Sequence, residues 1–204
     1  KTNETVQNFD IVNHRVQDLS FAPGSQSFAT AGTDSSVIIW DAKDGSRVRT
    51  LRFHKGKINT ISYHPEDSVL LSAGSDRKWV LWDLVSGKSL LSHKGHTSQI
   101  LEASFSPDGK RFVTAGSDLF IKIWEYPHGE ELGKLKGHNK PVTTLAFSPD
   151  GKLLASGSQD NQIFLWRLEP EISKTPFRKL EGHSYVVTQV FFSEAGKALI
   201  SISK

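Results

Sequence analysis

Four tryptophans of this chain, Trp40, Trp82, Trp124 and Trp166, stand 42 residues apart, and Asp34, Asp76, Asp118 and Asp160 keep the same interval. So do the aromatics Phe21, Tyr63, Phe105 and Phe147. A period of this size constrains the architecture before any single residue is interpreted. Each repeat is one supersecondary unit that must stack on its neighbours to bury an apolar face.

The period is written most fully in Gly95–Glu125. A Gly-His pair opens it, an alternating apolar run ends at Phe105, and the turn Ser106-Pro107-Asp108-Gly109 follows. A second run ends at Ala115-Gly116, a tight turn carries Asp118, and a third run ends at Trp124. Runs of this length between Gly/Pro/Asp/Ser clusters predict short strands joined by turns. The first unit predicts strands at Val16–Phe21, Phe28–Ala31, Val37–Asp41 and Arg47–Phe53. The arginines 47, 49 and 52 suit an outer edge, where charge discourages pairing with another chain. Later units repeat the plan, and the longer loop Glu169–Pro176 moves the next Gly182-His183 to 45 residues after His138. The fifth unit predicts only Val187–Phe192 and Ala198–Ser203, and Val6–Ile11 reads as an outer strand of an earlier unit.

These in-phase motifs resemble the WD40 family over residues 12–204. The resemblance implies an all-β fold, a WD40-type β-propeller of four-stranded blades arranged radially. About four and a half blades are expected, as part of a larger, seven-bladed ring. The expected domain is a single propeller fragment over 1–204, with repeats near 12–53, 54–95, 96–137, 138–182 and an incomplete 183–204. With neither an initiator Met nor a signal-like apolar region, Lys1–Thr5 reads as the interior of a longer protein.

Serine, histidine and aspartate recur together, as His54, Ser72, Asp76 and Trp82, then His96, Thr114, Asp118 and Trp124, then His138, Ser156, Asp160 and Trp166. A nucleophilic site needs one activated hydroxyl in a cleft. A set copied into every repeat is explained by a task every repeat shares. The resemblance implies that Asp holds His, His contacts Ser or Thr, and the hydroxyl receives the indole N–H. Buried rings of this kind need partners. No enzyme is expected. In the first unit the His register falls on Val12, with His14 two residues away, so an incomplete network is expected there. Glu125 and Arg167 replace the Asp that follows Trp in the family's name.

Other motifs fail. Gly129–Leu135 lacks the spacing, the Ser/Thr and the helix of a phosphate loop. His93 and His96 have no carboxylates at metal-ligand spacing, and Asn3-Glu4-Thr5 lacks a secretory context. No cofactor or metal is expected. The absence of cysteine removes disulfides and thiolate chemistry, and fits an intracellular place, cytoplasmic or nuclear. No apolar run approaches the roughly 18 residues that would span a bilayer.

The resemblance implies a rigid platform for proteins or peptide segments, working through the start of each innermost strand and the turn before Asp. In this sequence those positions include Arg15, Gln17, Lys57, Asn59, Gln99 and Leu101. Leu119 and Phe120 form an apolar pair where Arg77-Lys78 and Asn161-Gln162 stand in neighbouring repeats. Arg15 and Lys57 suggest an acidic partner segment beside a Leu101/Phe120 anchor. A basic edge of Arg47, Arg49, Arg52, Lys55 and Lys57 makes a nucleic-acid-contacting subunit the alternative, although a net charge of +3 argues little either way.

Overall fold

A computed structural model describes residues 14–204, all of whose regular elements are strands. The outer strand expected at Val6–Ile11 lies outside the described residues. Among those described, no helix is long and apolar enough to cross a membrane.

Blade 1 comprises β1 (Val16–Phe21), β2 (Ser27–Gly32), β3 (Ser36–Asp41) and β4 (Arg47–Arg52), paired antiparallel in chain order. Blade 2 is β5 (Ile58–Tyr63), β6 (Val69–Gly74), β7 (Lys78–Asp83) and β8 (Lys88–Lys94). Blade 3 is β9 (Ile100–Phe105), β10 (Arg111–Gly116), β11 (Phe120–Glu125) and β12 (Glu131–Lys136). Blade 4 is β13 (Val142–Phe147), β14 (Leu153–Ser158), β15 (Ile163–Arg167) and β16 (Arg178–Leu180), and β17 (Val187–Phe192) pairs with β18 (Leu199–Ser203) in a fifth. The first strands of successive blades, β1, β5, β9, β13 and β17, contact one another in that order. They form the inner wall of a partial propeller.

The core lies between blades. One cluster joins Ala29, Val37 and Leu51 of blade 1 to Ile58, Ile61, Leu70 and Trp82 of blade 2. The next joins Leu71, Trp79 and Leu81 to Ile100, Phe105, Phe112 and Trp124, and a third joins Val113, Ile121 and Ile123 to Leu145, Phe164 and Trp166. Burying each Val, Leu, Ile or Phe side chain among them contributes about 1.5–3 kcal/mol. Middle strands bury both faces, as β6 does at all of its positions. This explains why they read as continuous apolar runs instead of alternating ones. The inserted loop is part of the packing, with Ile172 seated against the blade 3–4 cluster.

Inner strands are edge strands, and their free N–H groups are met by side chains of the preceding blade. Asp18 accepts from the Ile61 N–H at 2.8 Å, Thr60 from Ala103 at 3.3 Å, and Thr144 from Val190 at 3.3 Å. Each inner strand also slips register one residue earlier, between Val16 and Asp18 in blade 1 and between Ile58 and Thr60 in blade 2. Gln17, Asn59, Leu101, Thr143 and Thr188 each occupy that slip, where a bulge re-aims the side chain.

Candidate functional site

Strand alternation puts the connections between blades and the Asp-bearing turns at one end of the sheets, here the histidine end. The turns between first and second and between third and fourth strands lie at the opposite end.

At the histidine end each of the four complete blades carries a relay, and the fifth has its first link, His183 Nε2 at 2.7 Å from Ser201 Oγ. Trp82 donates its indole N–H to Ser72 Oγ at 2.8 Å, Ser72 lies 2.8 Å from His54 Nε2, and His54 Nδ1 lies 3.0 Å from the Asp76 carboxylate. Blade 3 repeats it through Trp124, Thr114, His96 and Asp118, and blade 4 through Trp166, Ser156, His138 and Asp160. One proton order satisfies every atom. Indole N–H gives to hydroxyl, hydroxyl O–H gives to Nε2, and Nδ1–H gives to carboxylate. Burial alone would raise the Asp118 carboxyl. Hydrogen bonding and charge from His96, with the Thr97 and Phe120 N–H groups, outweigh it and hold the carboxyl down to about 2. Asp76 and Asp160 are lowered by the same balance. Burial pushes the His138 imidazole down, against its Asp160 partner. A hydrolase uses the same order of groups, but Ser72, Thr114 and Ser156 are fully buried and their oxygens are occupied by indole N–H. No substrate reaches them.

The first blade departs from the sequence expectation. His14 lies 2.9 Å from Asp34 and 3.0 Å from Thr30 Oγ1, which accepts from Trp40 at 2.9 Å, so the relay is complete. Two residues fewer connect His14 to β1 than connect His54 to β5. The shorter connection brings a histidine that is out of sequence register into the same spatial place, which a fixed-period count cannot show.

Of the residues proposed for partners, Arg15, Lys57 and Gln99 are exposed at the histidine end. Gln17 and Asn59 instead line a cavity of about 430 Å3 along the inner strands, and Asn59 donates to the Ile100 carbonyl of the next blade at 2.6 Å. Leu101 is half-buried. Leu119 is half-buried with φ +73°, the left-handed position that Arg77 and Asn161 fill in adjacent blades. Phe120 lines a pocket of about 370 Å3 with Arg77, Lys94, Lys122 and Lys134. Lys134 Nζ lies 3.4 Å from the Phe120 ring centroid, while Lys122 is paired with Glu131 at 2.6 Å. Neither Arg15 nor Lys57 is part of this pocket. Sequence reading missed its cations because they come from four separate segments: strand pairing sets Lys122 opposite Lys134, and blade stacking adds Arg77 and Lys94. It also missed Glu102 in the inner cavity. Loss of solvation there, then the nearby Asp18 charge, pushes its carboxyl up to about 8.

The WD40 family, described as WD domain, G-beta repeat, matches residues 5–41, 45–83, 87–125 and 129–167. The chain belongs to the WD40 family. No curated protein matches it. The matched WD40 segments close on the third strand of each blade, at Asp41, Asp83, Glu125 and Arg167. Asp41 and Asp83 accept N–H groups of the following turn, from Lys43 at 2.7 Å and Val85 at 2.9 Å. Glu125 does the same for His128 at 3.1 Å, so the longer acid keeps the turn's cap. WD40 repeats generally mediate protein–protein interaction and scaffolding, and WD40 propellers are typically non-catalytic.

Proposed function

We propose that this chain is a non-catalytic scaffold whose histidine end recruits an acidic peptide segment of a partner protein. The observation that carries the reading is the pocket around Phe120, where Arg77, Lys94 and Lys134 outnumber its one carboxylate, Asp118, which is taken up by His96 and the Thr97 N–H. Electrostatic complementarity of this kind steers encounter and selects partners, and an aromatic anchor supplies binding energy. On this reading Arg15, Lys57 and Gln99, exposed at the same end, are its further polar members, and Leu101 and Leu119 its apolar ones.

The rival reading, contact with nucleic acid along the β4 edge, loses support from two of its cations. Arg47 sits over the Trp40 ring at 5.7 Å, and Arg49 donates to the Val85 and Ser86 carbonyls of the next blade. The test is recovery of partners by the intact protein carrying Lys94→Glu and Lys134→Glu, alone and with Arg15→Glu and Lys57→Glu. Acidic partners should be lost in the first variant. Undiminished recovery in all of them would sink the proposal, and a steep salt-dependent affinity for RNA or DNA would favour the rival.

A further inference from the structure

A second recess lies at the opposite end from the histidines, in the seam between blades 1 and 2. It has a volume of about 330 Å3. The repeat itself shows what is unusual about it. In the seam between blades 2 and 3 the corresponding space is filled. His64 and Tyr126 pack there at a tilt of 36° with ring centroids 4.6 Å apart, and Tyr126 also packs edge-on against Phe105. In the seam between blades 3 and 4 it is filled again, by Arg111, which donates to the Leu168 carbonyl and to Glu169, and by Ile172 of the inserted loop. At the positions of His64, Tyr126 and Arg111, one or two periods earlier, the first seam has Ala22, Leu84 and Ser27. Three smaller side chains leave it open.

The recess also holds a polar group that the fold meets poorly. Tyr63 is 8% exposed, and its hydroxyl has the Ser27 side chain beside it but forms no hydrogen bond of ordinary geometry. The equivalent residues Phe21, Phe105 and Phe147 do the packing without a hydroxyl. A buried hydroxyl left unmatched is costly unless something meets it. Around the mouth stand Val48 at 58% and Val85 at 75% exposure, two large apolar side chains turned to solvent. The charged residues lining the recess are Glu66 and Asp67, with no cation among them. The wall is firm. Arg49 of blade 1 ties down the 85–86 turn, and His64 Nδ1 accepts the Glu66 and Asp67 N–H groups at 3.2 and 2.8 Å.

We infer that this seam is a second binding site, for a short peptide segment bearing an aliphatic side chain next to a lysine or arginine. The aliphatic group fills the space that aromatic rings fill in the next seam. A backbone polar group of the segment meets the Tyr63 hydroxyl, and the cation faces Glu66 and Asp67. The charge preference is opposite to that of the histidine end, so the two surfaces take different partners.

The seam between blades 2 and 3 supplies the control, because Ala22→His with Leu84→Tyr rebuilds its plug one repeat earlier. A random-sequence peptide library displayed on phage is selected on the intact protein and counter-selected on this plugged variant. Surviving peptides are then titrated by fluorescence polarisation. Peptides that discriminate should carry an aliphatic residue beside Lys or Arg, and lose roughly tenfold or more in affinity on the plugged variant. Tyr63→Phe should weaken them about three- to tenfold, and Glu66→Lys should weaken them further at low salt. The two single variants keep the question decidable if the double variant fails to fold. The inference is overturned if no peptide is enriched, if the discriminating peptides are acidic, or if Tyr63→Phe and Glu66→Lys both leave affinity unchanged.

Discussion

Leu119 shows how one residue can be placed against its own preference. Its φ of +73° lies in the left-handed region, where a Cβ costs about 1–2 kcal/mol and asparagine is tolerated better. Asn161 fills the matching place in blade 4. Leu119→Asn should therefore raise stability by up to about 1 kcal/mol in urea unfolding while weakening any partner that uses the apolar pair. A loss of stability would show instead that the leucine is held by packing. Glu102 is a second residue out of its preferred state. Its carboxyl is raised to about 8 from an unfolded value near 4.5, so the folded chain binds the extra proton between those limits. The stability this brings is full below the unfolded value and is lost as pH rises through 8. Glu102→Gln should leave the melting temperature unchanged near pH 4 and raise it at pH 9, at about 2–4 °C per kcal/mol recovered. An equal shift at both pH values would remove solvation and the Asp18 charge as the cause.

Within a blade, the Trp–Ser/Thr–His–Asp relay is the unit that ties the third strand, the second strand and the inter-blade connection together. Ser72→Ala takes away the acceptor of the Trp82 N–H and the donor to His54 Nε2 at once. Two buried groups left unmatched at about 1–3 kcal/mol each give an expected loss of roughly 2–5 kcal/mol, read by denaturant titration. Ser72→Thr, the residue type that blades 1 and 3 use, should recover most of it, since Thr30 and Thr114 make the same contacts. A Ser72→Ala protein as stable as the wild type would mean that the relay is ornamental to the blade. The relay also shows the limit of reading by interval. His54, His96 and His138 were legible from spacing. His14 was not, because a connection two residues shorter reaches the same point in space and only the folded backbone shows it.

Across the whole molecule, stability resides in the seams. Trp79 occupies the seam between blades 2 and 3, packing on Trp124 at 5.3 Å and on Phe112 at 4.9 Å. It is accommodated because Gly95 stands beside it, where an added Cβ would come within 2.8 Å of the indole. Trp79→Ala should cost about 3–5 kcal/mol. In a stacked array each unit touches only its neighbours, so the added hydrogen exchange should concentrate in β5–β12 and fade through β13–β18. Uniform acceleration from β1 to β18 would instead show one cooperative core.

The sequence by itself determined the blade. The 42-residue interval, the turn residues and the apolar runs placed the strands to within a few residues, because local propensity and periodic burial act along the chain. It also determined that Ser or Thr, His, Asp and Trp belong to one set in the second, third and fourth repeats. Only the tertiary structure decided what the seams between blades hold. Phe120 meets Arg77, Lys94 and Lys134, and the space beside Tyr63 stays open where His64 and Tyr126 close the next. The reason is physical. Each seam is lined by side chains from two neighbouring blades, and whether their volumes and charges match is settled only when those blades stack.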